Sequence, residues 1–183
     1  APVSFIENSV LNYNRFNSQN SFTNFMVGES NELAYTAAKK LCTQSSHYNP
    51  LFIYSEVGMG KTHLLNAIGL EIQQDKKVMF VSAERFMQHF IKSLKGNDMV
   101  KFKEFFRKAN IFIIDDIQFL GGKEATQEEF FHTFNELMEK GSQVVISSDR
   151  PPSNLDRIQP RIRSRLSGGL VIDIQPPDLS LRI

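Results

Sequence analysis

The sequence has a single cysteine, Cys42, so no intrachain disulfide can staple the fold. No stretch approaches the roughly 18 consecutive apolar residues that a membrane span needs. Nor do the first residues combine a charged head, an apolar run and a small-residue cleavage site. These absences lead to the expectation of a protein of the reducing cytoplasm, without integral membrane association. Charge of one sign is lacking too. Lys and Arg number 21 against 20 Asp and Glu, a formal net charge of +1, so the overall balance carries neither a nucleic-acid-binding footprint nor an acidic tail. Any nucleic-acid contact must then be local. None of the four histidines has metal-ligand spacing with another His or with the cysteine, which removes a zinc reading.

What is present suits one substantial core. The chain has 183 residues and 41% hydrophobic content, enough for a single domain or a domain with a short appendage. Residues 1–24 are rich in Asn and Ser with scattered Phe and no sustained periodicity, and read as a flexible linker ahead of a core over 25–183. From Glu32 the spacing predicts a helix with Leu33, Ala34, Ala37, Ala38 and Leu41 on its apolar face. Strand, loop and helix then recur. Leu51–Ser55 is a short apolar run before a Gly-rich turn and a helix from Thr62. Val78–Ser82 precedes a helix over Glu84–Lys95 whose apolar side is expected to hold Phe86, Phe90, Ile91 and Leu94, and a second helix over Asp98–Lys108. Ile111–Asp115 is continuously apolar, as a strand covered on both faces should be. Thr126 and Glu129 read as a capping box for the next helix. Val144–Ser147 and Gly169–Ile174 supply the fourth and fifth strands, and Pro176-Pro177 interrupts regular structure. Strands alternating with helices predict an α/β fold with a parallel five-stranded sheet flanked by helices.

The strongest chemical signal is Gly58-Met59-Gly60-Lys61-Thr62 between a strand and a helix, the setting of a P-loop. Glycines let successive N–H groups turn toward phosphate oxygens, and the helix N-terminus adds its positive end. Lys61 is suited to the β- and γ-phosphates and the Thr62 hydroxyl to Mg²⁺. The full motif opens with glycine, and Ser55 stands at that position. Serine is acceptable there only if its backbone is not left-handed. The alternative reading is a glycine turn that caps a helix. Asp115 and Asp116 end the buried strand where an open α/β sheet binds ligands. Asp115 is the expected Mg²⁺ partner and Asp116 is placed to orient or deprotonate the attacking water, the alternative being that they cap the following turn. Ser147-Ser148-Asp149-Arg150 closes the next strand, either as a γ-phosphate contact or simply as a turn.

Together with Asn49-Pro50-Leu51-Phe52-Ile53-Tyr54, His63-Leu64-Leu65, Ile114 to Phe119, Glu128 to Asn135 and Ser148 to Pro152, these motifs resemble the AAA+ ATPase domain of the DnaA family of bacterial replication initiators. The resemblance covers roughly residues 22 to 183. It implies a P-loop NTPase fold, ATP and ADP with Mg²⁺ as cofactors, nucleotide contacts from Gly58, Met59, Gly60, Lys61, Thr62 and His63, and a sensor role for Asp149. Within Arg161-Ile-Arg-Ser-Arg165 it implies that Arg165 is a finger touching ATP on a neighbouring subunit and that Arg161 supports the interface. On spacing alone these arginines equally suit a solvated basic face. The stretch from Glu84 to Lys108 resembles the insertion by which initiators face single-stranded origin DNA, which makes Ile91, Lys92 and Lys95 candidate DNA contacts. A solvated amphipathic face is the alternative. Lys123 is a further candidate, although Ala125 stands where the family often has a basic residue. The resemblance further implies a head-to-tail filament, slow hydrolysis acting as a switch, recruitment of a replicative helicase or regulators by the full-length protein, and a lid and helix-turn-helix domain beyond Ile183. Two other readings are a DnaA-related regulatory adaptor acting through protein partners and a helicase-loader type ATPase.

Overall fold

The computed structural model describes residues 21–43, 48–56, 60–73 and 75–175. Gly58, Met59 and Pro176-Pro177 lie outside the described residues, as does most of the segment expected to be a linker. The elements run α1 (Glu32–Thr43), β1 (Leu51–Tyr54), α2 (Lys61–Ile72), β2 (Val78–Ser82), α3 (Ala83–Lys95), α4 (Met99–Arg107), β3 (Ile111–Asp115), a 3-10 turn (Ile117–Leu120), α5 (Glu124–Lys140), β4 (Gln143–Ser148), a second 3-10 turn (Pro152–Asn154), α6 (Pro160–Leu166) and β5 (Leu170–Asp173). All five strands are parallel, in the order β2-β3-β4-β1-β5. The expected five-stranded parallel α/β sheet is the fold of this chain.

Both faces of the sheet are covered, which is why its strands read as continuous apolar runs. Side chains alternate along each strand. Phe52, Phe112, Ile114, Val144 and Ile146 face a core closed by α3, α4, α5 and α6. Leu51, Ile53, Ile111, Ile113 and Val145 face another closed by α1 and α2, which also takes in Phe22 and Phe25. The first core is built on phenylalanine. Phe86 on α3 meets Phe102, Phe106, Phe112 and Phe130 edge to face, with ring centroids 5.5, 5.3, 6.4 and 6.1 Å away. That geometry aligns ring edges with π faces and adds to area burial. Among the described residues no helix is long and apolar enough to cross a membrane.

Three local expectations are corrected. Leu33 is 65% exposed, because α1 buries Ala34, Ala37, Ala38 and Leu41 and the stripe with that i, i+3, i+4, i+7 spacing excludes its neighbour. On α3, Ile91 and Leu94 are exposed, while His89 and Ser93 are buried beside Phe86 and Phe90. The cause is α4, whose Phe102 packs against both Phe86 and Phe90 and turns α3 toward its 86–89–93 side. Finally, Thr126 and Glu129 do not cap α5. The helix begins at Glu124, both residues are buried within it, and Lys123 at the N-cap makes no side-chain cap bond.

Buried His89 carries a pH dependence. Burial first, then the charges of Lys92 and Arg85, draw its pKa from 6.5 down to about 4. Above pH 6.5 the imidazole is neutral in both folded and unfolded chains. As pH falls below that, the unfolded chain takes up the proton first, so stability declines through the window from 6.5 to about 4. Between pH 7 and pH 5 the chain is expected to lose about 1.5 kcal/mol relative to a His89→Leu variant. Urea midpoints at the two pH values measure it, and equal slopes for both proteins would remove His89 as the cause.

Candidate nucleotide and magnesium site

The C-terminal ends of β1, β3 and β4 converge on the start of α2. After β1, Ser55 is buried and its N–H donates to the Ser148 carbonyl at 3.1 Å. Its φ is not positive, so serine meets the condition for standing at the motif's opening position. Gly60, at φ +89 and ψ 8, is the N-cap of α2 and has no side-chain cap. The left-handed angle favours glycine, and an added Cβ would lie 3.4 Å from the Phe25 ring. The first amides of α2 thus make no side-chain capping bond at the helix's positive end.

Lys61 is 7% exposed, and its Nζ lies 3.5 Å from Asp116 Oδ1. The Thr62 hydroxyl donates to Asp115 Oδ2 at 3.4 Å. Asp115 also accepts a hydrogen bond from the Ser147 hydroxyl on the adjacent strand. Burial pushes the Asp115 carboxyl upward and the Asp116 charge adds to that, against the Ser147 and Thr62 hydrogen bonds and the Lys61 charge. Asp116 is left-handed at φ 59, which asparagine and aspartate tolerate better than other side-chain-bearing residues at about 1 kcal/mol. This angle turns its N–H onto Ser147 Oγ at 2.9 Å. Gln118 then bridges two of the expected residues: its Nε2 donates to Asp116 Oδ1 at 3.3 Å and its Oε1 accepts the Asp149 N–H at 3.2 Å. The Asp149 carboxylate pairs with Arg150 at 2.8 and 3.1 Å, and that hydrogen-bonded pairing holds its pKa below the usual carboxylate range.

Lys61, Thr62, Asp115, Asp116 and Asp149 therefore belong to one network, with two members that sequence reasoning missed. The sequence offers Ser147 only within Ser147-Ser148-Asp149-Arg150, as a γ-phosphate contact or a turn, yet it is fully buried and ties Asp115 to Asp116. Its signal was a hydroxyl interrupting an apolar strand. Gln118 had none. The donor set is chemically suited to a hard, oxygen-preferring cation, with a hydroxyl and a carboxylate already side by side. Among the described residues no group of three or more His, Cys, Asp or Glu side chains is placed to hold a metal alone, so Mg²⁺ here would need phosphate and water oxygens as well.

The remaining candidates lie outside this network. The His63 ring is engaged by the Ser21 carbonyl at 2.8 Å and by Phe25 edge-on at 5.2 Å. The same N-terminal segment presents exposed Met26 and Val27, held by Asn31, which accepts the Gly28 N–H and donates to the Met26 carbonyl. On α6, Arg161 Nη2 donates to both carboxylate oxygens of Glu128, and the guanidinium lies over Phe131 at 5.1 Å. Arg165 lies over Phe134 at 5.7 Å, is exposed, and has no ion pair among the described residues. The helix leads into β5 at Leu170, whose N–H donates to the Pro50 carbonyl. Gly169 passes so close that a Cβ there would collide with that carbonyl. Arg165 thus precedes the N-terminal end of β5, whereas Lys61 follows the C-terminal end of β1; the two edges of this sheet are about 13 Å apart. Ile91, Lys92 and Lys95 are exposed on α3 and Lys123 is exposed ahead of α5, on separate elements.

A family model described as the bacterial DnaA ATPase domain matches residues 16–173. The chromosomal replication initiator protein DnaA of Jannaschia sp. is 49% identical over 173 residues, covering 92% of this chain and 36% of that protein. The chain therefore spans a little over a third of the length of this curated relative. Domain III of the Thermotoga maritima replication initiation protein DnaA superposes with a TM-score of 0.89 at 44% identity, over 92% of this chain and 72% of that one. A replication initiator DnaA bound to AMPPCP and single-stranded DNA gives 0.86 at 41% identity, over 88% and 51% of the two chains.

Proposed function

This chain belongs to the bacterial DnaA ATPase-domain family, and on that premise we propose that it is the ATP-binding, slowly hydrolysing core of a cytoplasmic chromosomal replication initiator that assembles head to tail. The observation that carries the reading is the network that joins Lys61, Thr62, Asp115, Asp116 and Asp149 at one sheet edge beside a left-handed Gly60.

Lys61 neutralises the β- and γ-phosphates of ATP, with Gly58, Met59 and Gly60 contributing backbone donors. Thr62 and Asp115 hold Mg²⁺, which supplies charge neutralisation at the phosphates. Asp116, fixed through Ser147 and Gln118, orients the attacking water, and Asp149 reports on the γ-phosphate through the same Gln118 amide. The Asp116 carboxylate is one methylene shorter than glutamate, which supports slow turnover and a switch-like ATPase. Exposed Met26 and Val27 give the adenine an apolar wall beside α2.

The separation of Arg165 from Lys61 supports engagement between subunits. An arginine at the far edge reaches a nucleotide only on a neighbour, and a contact between two different faces propagates into a filament when it does not close. Arg161, preset by Glu128 and Phe131, supports that face. Exposed Ile91, Lys92, Lys95 and Lys123 support engagement of single-stranded origin DNA, and a relative has been solved with single-stranded DNA. Recruitment of a replicative helicase or regulators belongs to the full-length protein, and the identity to initiators over most of the chain favours this reading over an adaptor. Sedimentation velocity tests the assembly. With Mg²⁺ and ATP, species should grow with protein concentration without a fixed end point, whereas ADP should leave the chain small. Equal behaviour in both nucleotides, or a closed ring of fixed size, would refute the switch.

A further inference from the structure

A second basic device sits on the turn between the first 3-10 turn and α5, which the nucleotide network does not use. Gly122, at φ +77, donates its N–H to the Arg157 carbonyl at 2.9 Å. The Arg157 side chain runs along this turn. A Cβ on Gly122 would collide with Nη2 and stand 3.0 Å from Cζ, and one on Gly121 would stand 3.2 Å from the Arg157 Cβ. Side-chain-free residues are what let the guanidinium lie against the backbone. From below, buried Gln127 anchors the assembly: Nε2 donates to the carbonyls of Leu120 at 2.7 Å and Arg157 at 2.9 Å, and Oε1 accepts the Gln159 N–H at 3.0 Å.

The backbone of Arg157 is thus anchored, its guanidinium lies against Gly122, and the residue is exposed with no carboxylate partner among the described residues. It borders a cavity of about 290 Å³ lined also by Gln118, Arg150, Asn154 and Asp156. Arg150 is already paired to Asp149, and the outward Asp156 carboxylate lies 4.0 Å from Arg163. Lys123 follows Gly122 directly and is exposed. A planar donor fork held against backbone loses less freedom on binding than a free surface side chain, and its geometry suits two phosphate oxygens at once.

We propose that Arg157, lying against this turn beside the candidate DNA contact Lys123, is a phosphate-binding group, and that the phosphate is a phosphodiester of single-stranded DNA. The inference rests on the reading that this chain engages single-stranded DNA. A free phosphate would use the same donors, and the test separates the two.

The chain, with ATP and Mg²⁺, is titrated into a fluorescent oligothymidylate across a salt series, beside Arg157→Gln and, as a control for net charge, Lys76→Gln ahead of β2. Arg157→Gln is expected to weaken binding roughly three- to tenfold and to reduce the slope of log K against log salt by about 0.7, one single-strand phosphate contact. Lys76→Gln should leave both unchanged. Wild-type affinity and slope in Arg157→Gln, or an equal loss in the two variants, would overturn the assignment of Arg157 while leaving DNA engagement intact. A wild-type chain that does not bind the oligonucleotide would overturn DNA engagement itself. If inorganic phosphate raises the melting temperature of the wild type but not of Arg157→Gln while oligonucleotide binding is the same in both, the ligand is free phosphate and the DNA assignment is wrong.

Discussion

Replacing Lys61 with alanine is expected to weaken ATP binding at least about 100-fold, equivalent to about 2.7 kcal/mol, while the chain stays folded. The ammonium is 7% exposed at the start of α2, where little water competes with a phosphate for its charge. In the variant the phosphates would meet Asp116 without the ammonium that lies 3.5 Å from its carboxylate. Folding should suffer far less. Lys61 is itself a desolvated charge, and its partner Asp116 has a side chain 47% exposed, so water can replace the ammonium there. Titration calorimetry with Mg²⁺ and ATP, beside a thermal melt, separates the two. Wild-type affinity in the variant would sink the nucleotide site, and a collapsed melt would show that Lys61 holds the fold instead.

Arg165→Ala is expected to lower hydrolysis in the assembled state by roughly 10³-fold, the usual worth of an arginine finger. ATP affinity of the dispersed chain should not change, since Arg165 stands at the opposite sheet edge from Lys61. Loss of its contact with Phe134 should cost no more than about 1 kcal/mol of stability at this exposed position. Mixing gives the sharper test. Lys61→Ala keeps its arginine and Arg165→Ala keeps its P-loop, so equal parts of two nearly inactive proteins should recover a substantial fraction of turnover. No recovery on mixing would mean the arginine does not act across a subunit boundary.

Much of this was legible before any coordinates. Ile111–Asp115 announces a doubly covered strand because β3 pairs on both sides and is buried throughout. The proposed phosphate-binding turn is legible because its chemistry is local: a glycine, a lysine and a hydroxyl in consecutive positions. What sequence spacing missed depends on neighbours distant in the chain. Ile91 and Leu94 are apolar at helical intervals, yet the rotation of α3 is decided by Phe102. Thr126 and Glu129 have capping spacing, yet the preceding turn, with Lys123 N–H bonded to the Leu120 carbonyl, starts the helix two residues earlier than Thr126. Ser147 ties the two acids together only because β3 and β4 place Ile114 beside Ile146. Gln118, bonded to Asp116, reaches Asp149 across 31 residues, a distance over which no motif spacing operates.

In the proposed head-to-tail assembly, the opposite placement of Arg165 and Lys61 would give a growing row of chains a direction and a deficit. Each joint pairs one arginine with one neighbour's nucleotide, so a row of n chains contains n − 1 completed sites. One terminal chain keeps an ATP that no finger reaches, and the other keeps a finger with no ATP to reach. The two ends are then chemically unlike. On that proposal hydrolysis per chain would be lowest in the shortest rows and approach a ceiling as they lengthen, so the lifetime of the ATP state would depend on how many chains stand in line.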